Sequence, residues 1–167
     1  MKIRIVYVLM FVMLLGINLF SQSPRGKDFG FGIILGEPTG ITVKYWFNSE
    51  NALVGNLGTS YFGKPRLDVE YLWHFDAFNS SIVKMYAGPG GVLGFGEGNS
   101  YWYEWKNDRF YYRKSGELGL GIKGLVGINI IPRRTPLEIF LEIGVLIGMA
   151  PDFGSQGEAA LGIRFYP

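Results

Sequence analysis

Between Leu137 and Met149 the sequence alternates with period two. Leu137, Ile139, Leu141, Ile143, Val145, Ile147 and Met149 take the odd positions, with Glu138, Glu142, Gly144 and Gly148 among the even ones. Successive side chains of a strand point to opposite faces, so this segment is a strand with one wholly apolar face and one that is not. The same split sets Leu67, Val69, Tyr71, Trp73 and Phe75 against Arg66, Asp68, Glu70, Leu72 and His74. It recurs with Leu118, Leu120, Ile122, Val126 and Ile128 against Gly119, Gly121, Lys123, Gly127 and Asn129. Less regular strands are expected over Phe29 to Leu35, Ile41 to Phe47, Leu53 to Tyr61, Val83 to Phe95 and Ala159 to Tyr166, which makes eight. No helical periodicity appears after Lys27.

Turn chemistry punctuates these strands at Glu37-Pro38-Thr39-Gly40, Asn48-Ser49-Glu50-Asn51, Gly63-Lys64-Pro65 and Asp76 to Ser81. It returns at Pro132-Arg133-Arg134-Thr135-Pro136 and from Pro151 to Gly157. Every connection is short except Glu97 to Gly116, between the fifth and sixth strands. Eight antiparallel strands joined in this way form an up-and-down barrel.

Alternation alone does not say which face is inside. A soluble barrel buries its apolar face, whereas a transmembrane barrel turns that face to lipid and keeps polar groups in the lumen. If the apolar face is outside, Gly30, Gly32, Gly88, Gly90, Gly94, Gly119, Gly121, Gly127, Gly144, Gly148 and Gly162 all point inward, as the small interior of an eight-stranded barrel requires. Charges then meet inside as a lumen ion-pair network of Lys44, Arg66, Lys84, Lys123 and Arg164 with Asp68, Glu70, Glu138 and Glu142. The alternative for these residues is a solvated outer face.

Export agrees with the inverted arrangement. Lys2 and Arg4 precede an apolar run from Ile5 that continues to Phe20, and Ser21 precedes a polar stretch. This reads as a signal peptide over residues 1–21, leaving a barrel domain over 22–167; an N-terminal membrane anchor is the alternative. Two of the sixteen basic residues leave with the leader, so fourteen face fourteen acidic ones and the mature chain is formally neutral. Nucleic acid is therefore not an expected partner. With no cysteine, disulfides, thiolate metal sites and a lipoprotein anchor are excluded. Both termini belong in the periplasm and the one long loop outside the cell. Phe29, Phe31, Tyr45, Phe47, Trp73, Phe75 and Phe165 then form an aromatic girdle at the periplasmic rim.

Gly32-Ile33-Ile34-Leu35-Gly36-Glu37-Pro38-Thr39-Gly40-Ile41, Tyr71-Leu72-Trp73-His74-Phe75 and Pro136-Leu137-Glu138-Ile139-Phe140-Leu141-Glu142 together resemble a family of small, largely uncharacterised bacterial outer-membrane barrels similar to OmpA-type transmembrane domains. The resemblance covers most of the mature chain outside the long loop. It implies an outer-membrane location, contact with outer-membrane lipid, and recognition by the barrel-insertion machinery through a C-terminal aromatic signal. Phe165 and Tyr166 resemble that signal, and Pro167 departs from it. No catalytic residues are implied.

No enzyme, cofactor or metal site is expected. Gly119-x-Gly121-x-x-Gly124 copies the dinucleotide fingerprint but lies inside a strand, where no helix N-terminus awaits a pyrophosphate. His74 is the only histidine, and no spacing joins it to nearby Ser81 as base and nucleophile. Glu138 and Glu142 stand four residues apart on one face, roughly 13 Å along a strand at ~3.3 Å per residue. That exceeds the span of about 5 to 9.5 Å of glycosidase pairs. The long loop interleaves Tyr101, Trp102, Tyr103, Trp105, Phe110, Tyr111 and Tyr112 with charges that include Arg109. Such residues are common at binding hot spots, which makes loop 97–116 a candidate surface for a ligand; mutual packing or a membrane-interface belt is the alternative. Lys106-Asn107-Asp108 is placed to turn a hairpin that prolongs strands five and six. A narrow channel and a secreted lipocalin-like binder with its apolar face inside are the rival functions.

Overall fold

The computed structural model describes residues 28–96, 101–104, 109–112, 118–132, 135–151 and 153–167. The expected signal peptide lies outside them. Eight long strands carry the fold: β1 Phe29–Gly36, β2 Thr39–Trp46, β3 Asn51–Ser60, β4 Gly63–Phe75, β5 Val83–Gly94, β8 Gly119–Ile130, β9 Leu137–Ala150 and β10 Gly154–Phe165. Two short ones, β6 Tyr101–Glu104 and β7 Arg109–Tyr112, lie between β5 and β8 in sequence. Each long strand pairs antiparallel with the next, and β1 pairs with β10, with Phe31 opposite Phe165 and Gly36 opposite Ala160. The ring is therefore closed.

The faces divide as an inverted barrel requires. On β9, Leu141, Ile143 and Val145 are 55%, 58% and 51% exposed, while Glu138 and Glu142 are 0% and 4% exposed. The apolar face looks out on the other long strands too, through Ile33, Ile41, Leu57, Val69, Ile122 and Leu161 among others. A lipocalin-like interior is thus overturned, since the charged face forms the core. An apolar surface running round the molecule far exceeds what a soluble monomer exposes.

The strands are longer than turn-forming residues suggest. Gly154-Ser155-Gln156-Gly157, expected as turn, belongs to β10, where Gly154 to Gly157 pair with Gly148 to Val145 of β9. Likewise Gly63 to Pro65 open β4, leaving Tyr61 and Phe62 as the turn. Both extensions raise the wall at the rim bearing the long connection, here the loop rim; the opposite rim, beside Phe29 and Phe165, is the terminal rim. Because β1 reaches only as far as Ala160 on β10, the edge of β10 beyond it is uncovered there, and β6 takes it, with Tyr103 opposite Ser155. The β6–β7 hairpin therefore leans onto β10 instead of prolonging β5 and β8, because an unpaired strand edge offers hydrogen bonds that a free-standing hairpin lacks. Its expected turn, Lys106-Asn107-Asp108, and Trp105 lie outside the described residues, as do the side chains of Tyr101, Trp102, Tyr103, Arg109, Phe110, Tyr111 and Tyr112.

Candidate functional site: the barrel lumen

Side chains of very unequal size fill the lumen by complementing one another across neighbouring strands. A Cβ on Gly162 would stand 2.4 Å from the Phe140 ring, and one on Gly127 would stand 2.3 Å from that of Tyr86. On Gly30 it would lie 2.7 Å from the Tyr166 ring, and on Gly94 2.9 Å from the Phe62 ring and 2.3 Å from the Phe62 carbonyl oxygen. Each of these inward glycines leaves the room that one inward aromatic occupies. At Gly36 the requirement is also conformational, with φ at +117° in the Gly-Glu-Pro-Thr-Gly turn. Thr39 closes that turn, its Oγ1 accepting from Gly36 N at 3.1 Å and donating to Gly36 O at 2.9 Å.

The inward polar residues fall into two groups. Toward the terminal rim, Glu138 on β9 accepts from Lys44 Nζ at 2.7 Å, Asn129 Nδ2 at 2.9 Å and Arg164 Nη1 at 3.4 Å, and from the Tyr166 hydroxyl. Arg164 also donates from Nε and Nη2 to Thr42 Oγ1 at 3.0 and 2.9 Å and lies 3.8 Å over the Phe140 ring. Lys44 Nζ stands 4.1 Å from the centre of the Trp46 ring and 2.9 Å from His74 Nε2. The other histidine nitrogen, Nδ1, is 3.2 Å from the Glu50 carbonyl, which can only accept. His74 therefore carries its proton on Nδ1 and offers Nε2 as acceptor to the ammonium, as a neutral strut.

Toward the loop rim, Arg66 on β4 is clasped by two carboxylates. Asp68 on the same strand accepts from Nε at 2.6 Å and Nη2 at 2.8 Å; Glu158 on β10 accepts from Nη1 at 2.5 Å and Nη2 at 2.9 Å. Lys123 Nζ lies 2.6 Å from Glu70, 3.4 Å from Asp68 and 3.9 Å from Glu158. Tyr61, in the β3–β4 turn, donates its hydroxyl to Glu158 at 2.7 Å, and its backbone N–H donates to Glu37 at 3.3 Å. Partial burial raises the Glu37 carboxyl above its ordinary value.

Between the two groups lies an apolar layer of Ile34, Val54, Leu72, Tyr86, Leu125, Phe140 and Ala160, one residue from every long strand except β2. On β4, Leu72 is the inward residue between Glu70 and His74; on β8, Leu125 stands between Lys123 and the terminal-side Asn129; on β10, Ala160 separates Glu158 from Arg164. Glu142 accepts from the Tyr86 hydroxyl at 3.0 Å at this layer. Further apolar clusters cap both ends, with Phe62, Val92 and Leu146 at the loop rim and Trp46, Ala52 and Tyr166 at the terminal rim.

Of the nine charged residues expected in the lumen, the structure joins Lys44, Glu138 and Arg164 in one ion-pair set and Arg66, Asp68, Glu70 and Lys123 in the other. Glu142 is buried against Tyr86 instead of in an ion pair, among the described residues. Lys84, also buried, sits at the terminal rim, where Asp76 and Glu50 of the adjoining turns face it. One member is new: Glu158. Five expected cations had only four expected carboxylates, and that mismatch was the signal for it. Trp46 and Tyr166 are not distinguished as lumen partners by alternation, because Tyr45, Phe47 and Phe165 on the other face are aromatic too; Tyr86 lies in a strand whose alternation is less regular.

Outside, Phe29, Phe31, Tyr45, Phe47, Trp73, Phe75 and Phe165 are all exposed near the terminal rim. Phe31 meets Phe165 edge-on at 6.0 Å across the closing seam. Tyr45 meets Phe47 at 5.5 Å, Phe47 stacks on Tyr71 at 6.1 Å, and Tyr71 meets Trp73 at 5.3 Å. Tyr166 turns the other way: its hydroxyl accepts from Trp46 Nε1 at 3.1 Å. Only Phe165 of the two C-terminal aromatics faces outward.

These features define a class: a closed eight-stranded antiparallel up-and-down barrel, apolar outside and ion-paired within. A solved structure of similar fold superposes on it: the N-terminal β-barrel domain of Pseudomonas aeruginosa OprF, with a TM-score of 0.52 and 12% sequence identity, covering 83% of this chain and 94% of that one. At that identity the likeness is one of fold. No protein-family model and no curated protein matches the sequence. No helix among the described residues is long and apolar enough to cross a membrane.

Proposed function

We propose that the chain is an outer-membrane barrel of a bacterial envelope with a structural or surface-interaction role, carrying its ligand surface on loop 97–116. The observation that carries this reading is the inverted polarity of β9, with Leu141, Ile143 and Val145 outward and Glu138 and Glu142 buried. Only a hydrocarbon surround makes that arrangement favourable. In this reading residues 1–21 direct export, the barrel-insertion machinery reads the last strand through Phe165, the girdle lies at the periplasmic interface, and the long loop projects from the cell.

The closed lumen supports a role other than transport of solutes, because side chains fill it and an apolar layer divides its two polar groups. It supports a role other than catalysis as well, since Asp68, Glu70, Glu138, Glu142 and Glu158 each engage a structural partner in the lumen. The reading is tested by fractionating cells and running the detergent extract with and without boiling. The expected outcome is an outer-membrane protein whose unheated band migrates differently; release into buffer without detergent would refute it. Deleting Ser100 to Lys114 tests the loop: attachment to envelope or surface ligands should fall while the heat-dependent shift remains. Unchanged attachment would remove the ligand surface from the proposal.

A further inference from the structure

The β6–β7 hairpin joins the barrel in a register that assigns its two faces. Tyr103 stands opposite Ser155 of β10, and residues directly opposite across an antiparallel pair share a face of the sheet. On β10 the exposed Ser155, Gly157, Ala159 and Leu161 alternate with the buried Glu158, Ala160 and Gly162, so Ser155 belongs to the outward face. Tyr103 therefore lies on that face, and the two-residue period puts Tyr101 there with it. Tyr112 stands opposite Tyr101, and Phe110 opposite Tyr103. The outward face of the hairpin thus carries Tyr101, Tyr103, Phe110 and Tyr112, all aromatic and none charged. The other face, continuous with the lumen side of β10, carries Trp102, Glu104, Arg109 and Tyr111, with Glu104 opposite Arg109. The polarity of the barrel wall is repeated in a hairpin that is no part of the eight-stranded ring.

The two rims of that ring differ in a matching way. At the terminal rim Tyr45, Tyr71 and Trp73 are exposed among the phenylalanines. At the loop rim the exposed large apolar residues are Leu35, Phe95, Leu118, Met149 and Phe153, and no exposed tyrosine or tryptophan joins them among the described residues. Tyr61, beside them, gives its hydroxyl to Glu158 in the lumen. A transmembrane barrel carries aromatic residues at both interfaces, and Tyr suits the headgroup level because its ring is apolar and its tip polar. The hairpin brings three tyrosines and a phenylalanine to the rim that lacks them. It also needs such a contact, since a two-stranded hairpin is marginal by itself in water and β6 meets β10 at one register pair among the described residues.

We propose that the outward face of the β6–β7 hairpin is a lipid-docking surface, with Tyr101, Tyr103, Phe110 and Tyr112 placed at the headgroup boundary of the outer leaflet. The inference rests on the outer-membrane reading and divides the ligand surface assigned to loop 97–116. Lipid takes this face, and a ligand is left the face of Trp102, Glu104, Arg109 and Tyr111. Continuity with the lipid-facing wall of β10 favours lipid over a protein partner on the outward side.

The chain has no cysteine, so single cysteines direct a spin label to one site at a time. Tyr103→Cys and Trp102→Cys, adjacent in sequence and on opposite faces, are labelled in the full barrel refolded in lipid vesicles, with Ile143→Cys as the mid-belt control. Collisions of each label with oxygen, which concentrates in lipid, are compared with collisions with a water-soluble nickel chelate. The Tyr103→Cys label should show severalfold fewer nickel collisions, relative to oxygen, than the Trp102→Cys label. Across the hairpin, Tyr112→Cys should follow the first and Tyr111→Cys the second. Equal nickel access on the two faces would overturn the proposal. Shielding of Tyr103→Cys from both reagents would overturn it too, as the mark of a protein partner or a second copy on that face. Lipid exposure at Ile143→Cys with equal access at the hairpin would sink the docking face alone, whereas an Ile143→Cys label open to nickel would take the membrane reading down with it. The heat-dependent gel shift verifies that each labelled barrel is folded, and Tyr101→Cys stands in on the same face should Tyr103→Cys fail to fold.

Discussion

Glu138 is the test of whether the lumen behaves as a dry core. It accepts from four donors, and two of them, Lys44 and Arg164, are cations that are 0% and 1% exposed. In Glu138→Leu both cations stay behind with no carboxylate in contact among the described residues, and the Asn129 and Tyr166 hydrogen bonds are lost too. Breaking a buried pair by removing one partner costs about 3 to 5 kcal/mol. The folded-to-unfolded ratio should therefore fall by roughly 10² to 10³ or more, at 1.4 kcal/mol per decade. Since Arg164 keeps Thr42 at 2.9 and 3.0 Å and its stack on Phe140, the lower half of that range is expected. The assay is urea unfolding of the barrel refolded in lipid vesicles, followed by tryptophan fluorescence with Trp46 as a lumen reporter. Glu138→Leu combined with Lys44→Met should recover a substantial part of the loss, because an apolar pair replaces an ion pair at little cost. A loss under about 1 kcal/mol for Glu138→Leu, the size of an exposed salt bridge, would refute the reasoning. It would mean that water reaches Lys44 and Arg164.

Ile143→Arg places a charge in the middle of the outer apolar face and should destabilise the barrel by about 2 to 4 kcal/mol in vesicles. The same change at Phe29 on the terminal rim should cost about 0 to 1 kcal/mol, and equal costs at the two positions would deny a bilayer depth to the belt. Gly32→Ala should impair folding, because its Cβ would lie 1.8 Å from the Ile163 carbonyl oxygen across the β1–β10 seam. Backbone cannot swing aside as a side chain can, so a normal yield on the refolding gel would contradict the seam's geometry. Single-channel recordings of the wild-type barrel should show no discrete openings, given the apolar layer and both caps; steady unitary currents would revive the narrow-channel reading. Arg66→Lys should weaken the barrel in urea unfolding by about 1.5 to 3 kcal/mol, since an ammonium cannot make the two carboxylate forks. A neutral result would show that Asp68 and Glu158 need only a point charge.

Much of the fold was legible because period-two alternation fixes the two faces of a strand without reference to any other strand. Leu137 to Met149 is enough to say that Glu138 and Glu142 share one side and Ile143 the other. The inward glycines were legible for the same reason. Strand ends were not: Gly154-Ser155-Gln156-Gly157 has the composition of a turn, yet β9 extends far enough to pair with it, and a partner strand overrides local turn preference. Glu158 was missed with that segment. Its guanidinium partner, Arg66, is 92 residues away, and no spacing rule reaches across a barrel.

Local alternation and turn chemistry, then, determined the strand count, the meander order and the residues on each face, since these depend on neighbours along the chain. Tertiary structure decided what met inside. The pairing of Arg66 with Glu158, the glycines that admit Phe140 and Tyr86, the sealing apolar layer and the docking of β6 on β10 all depend on register and closure. A one-residue slip would have reassigned every contact, and only the volume and charge of all eight strands together select the register in which the lumen fills.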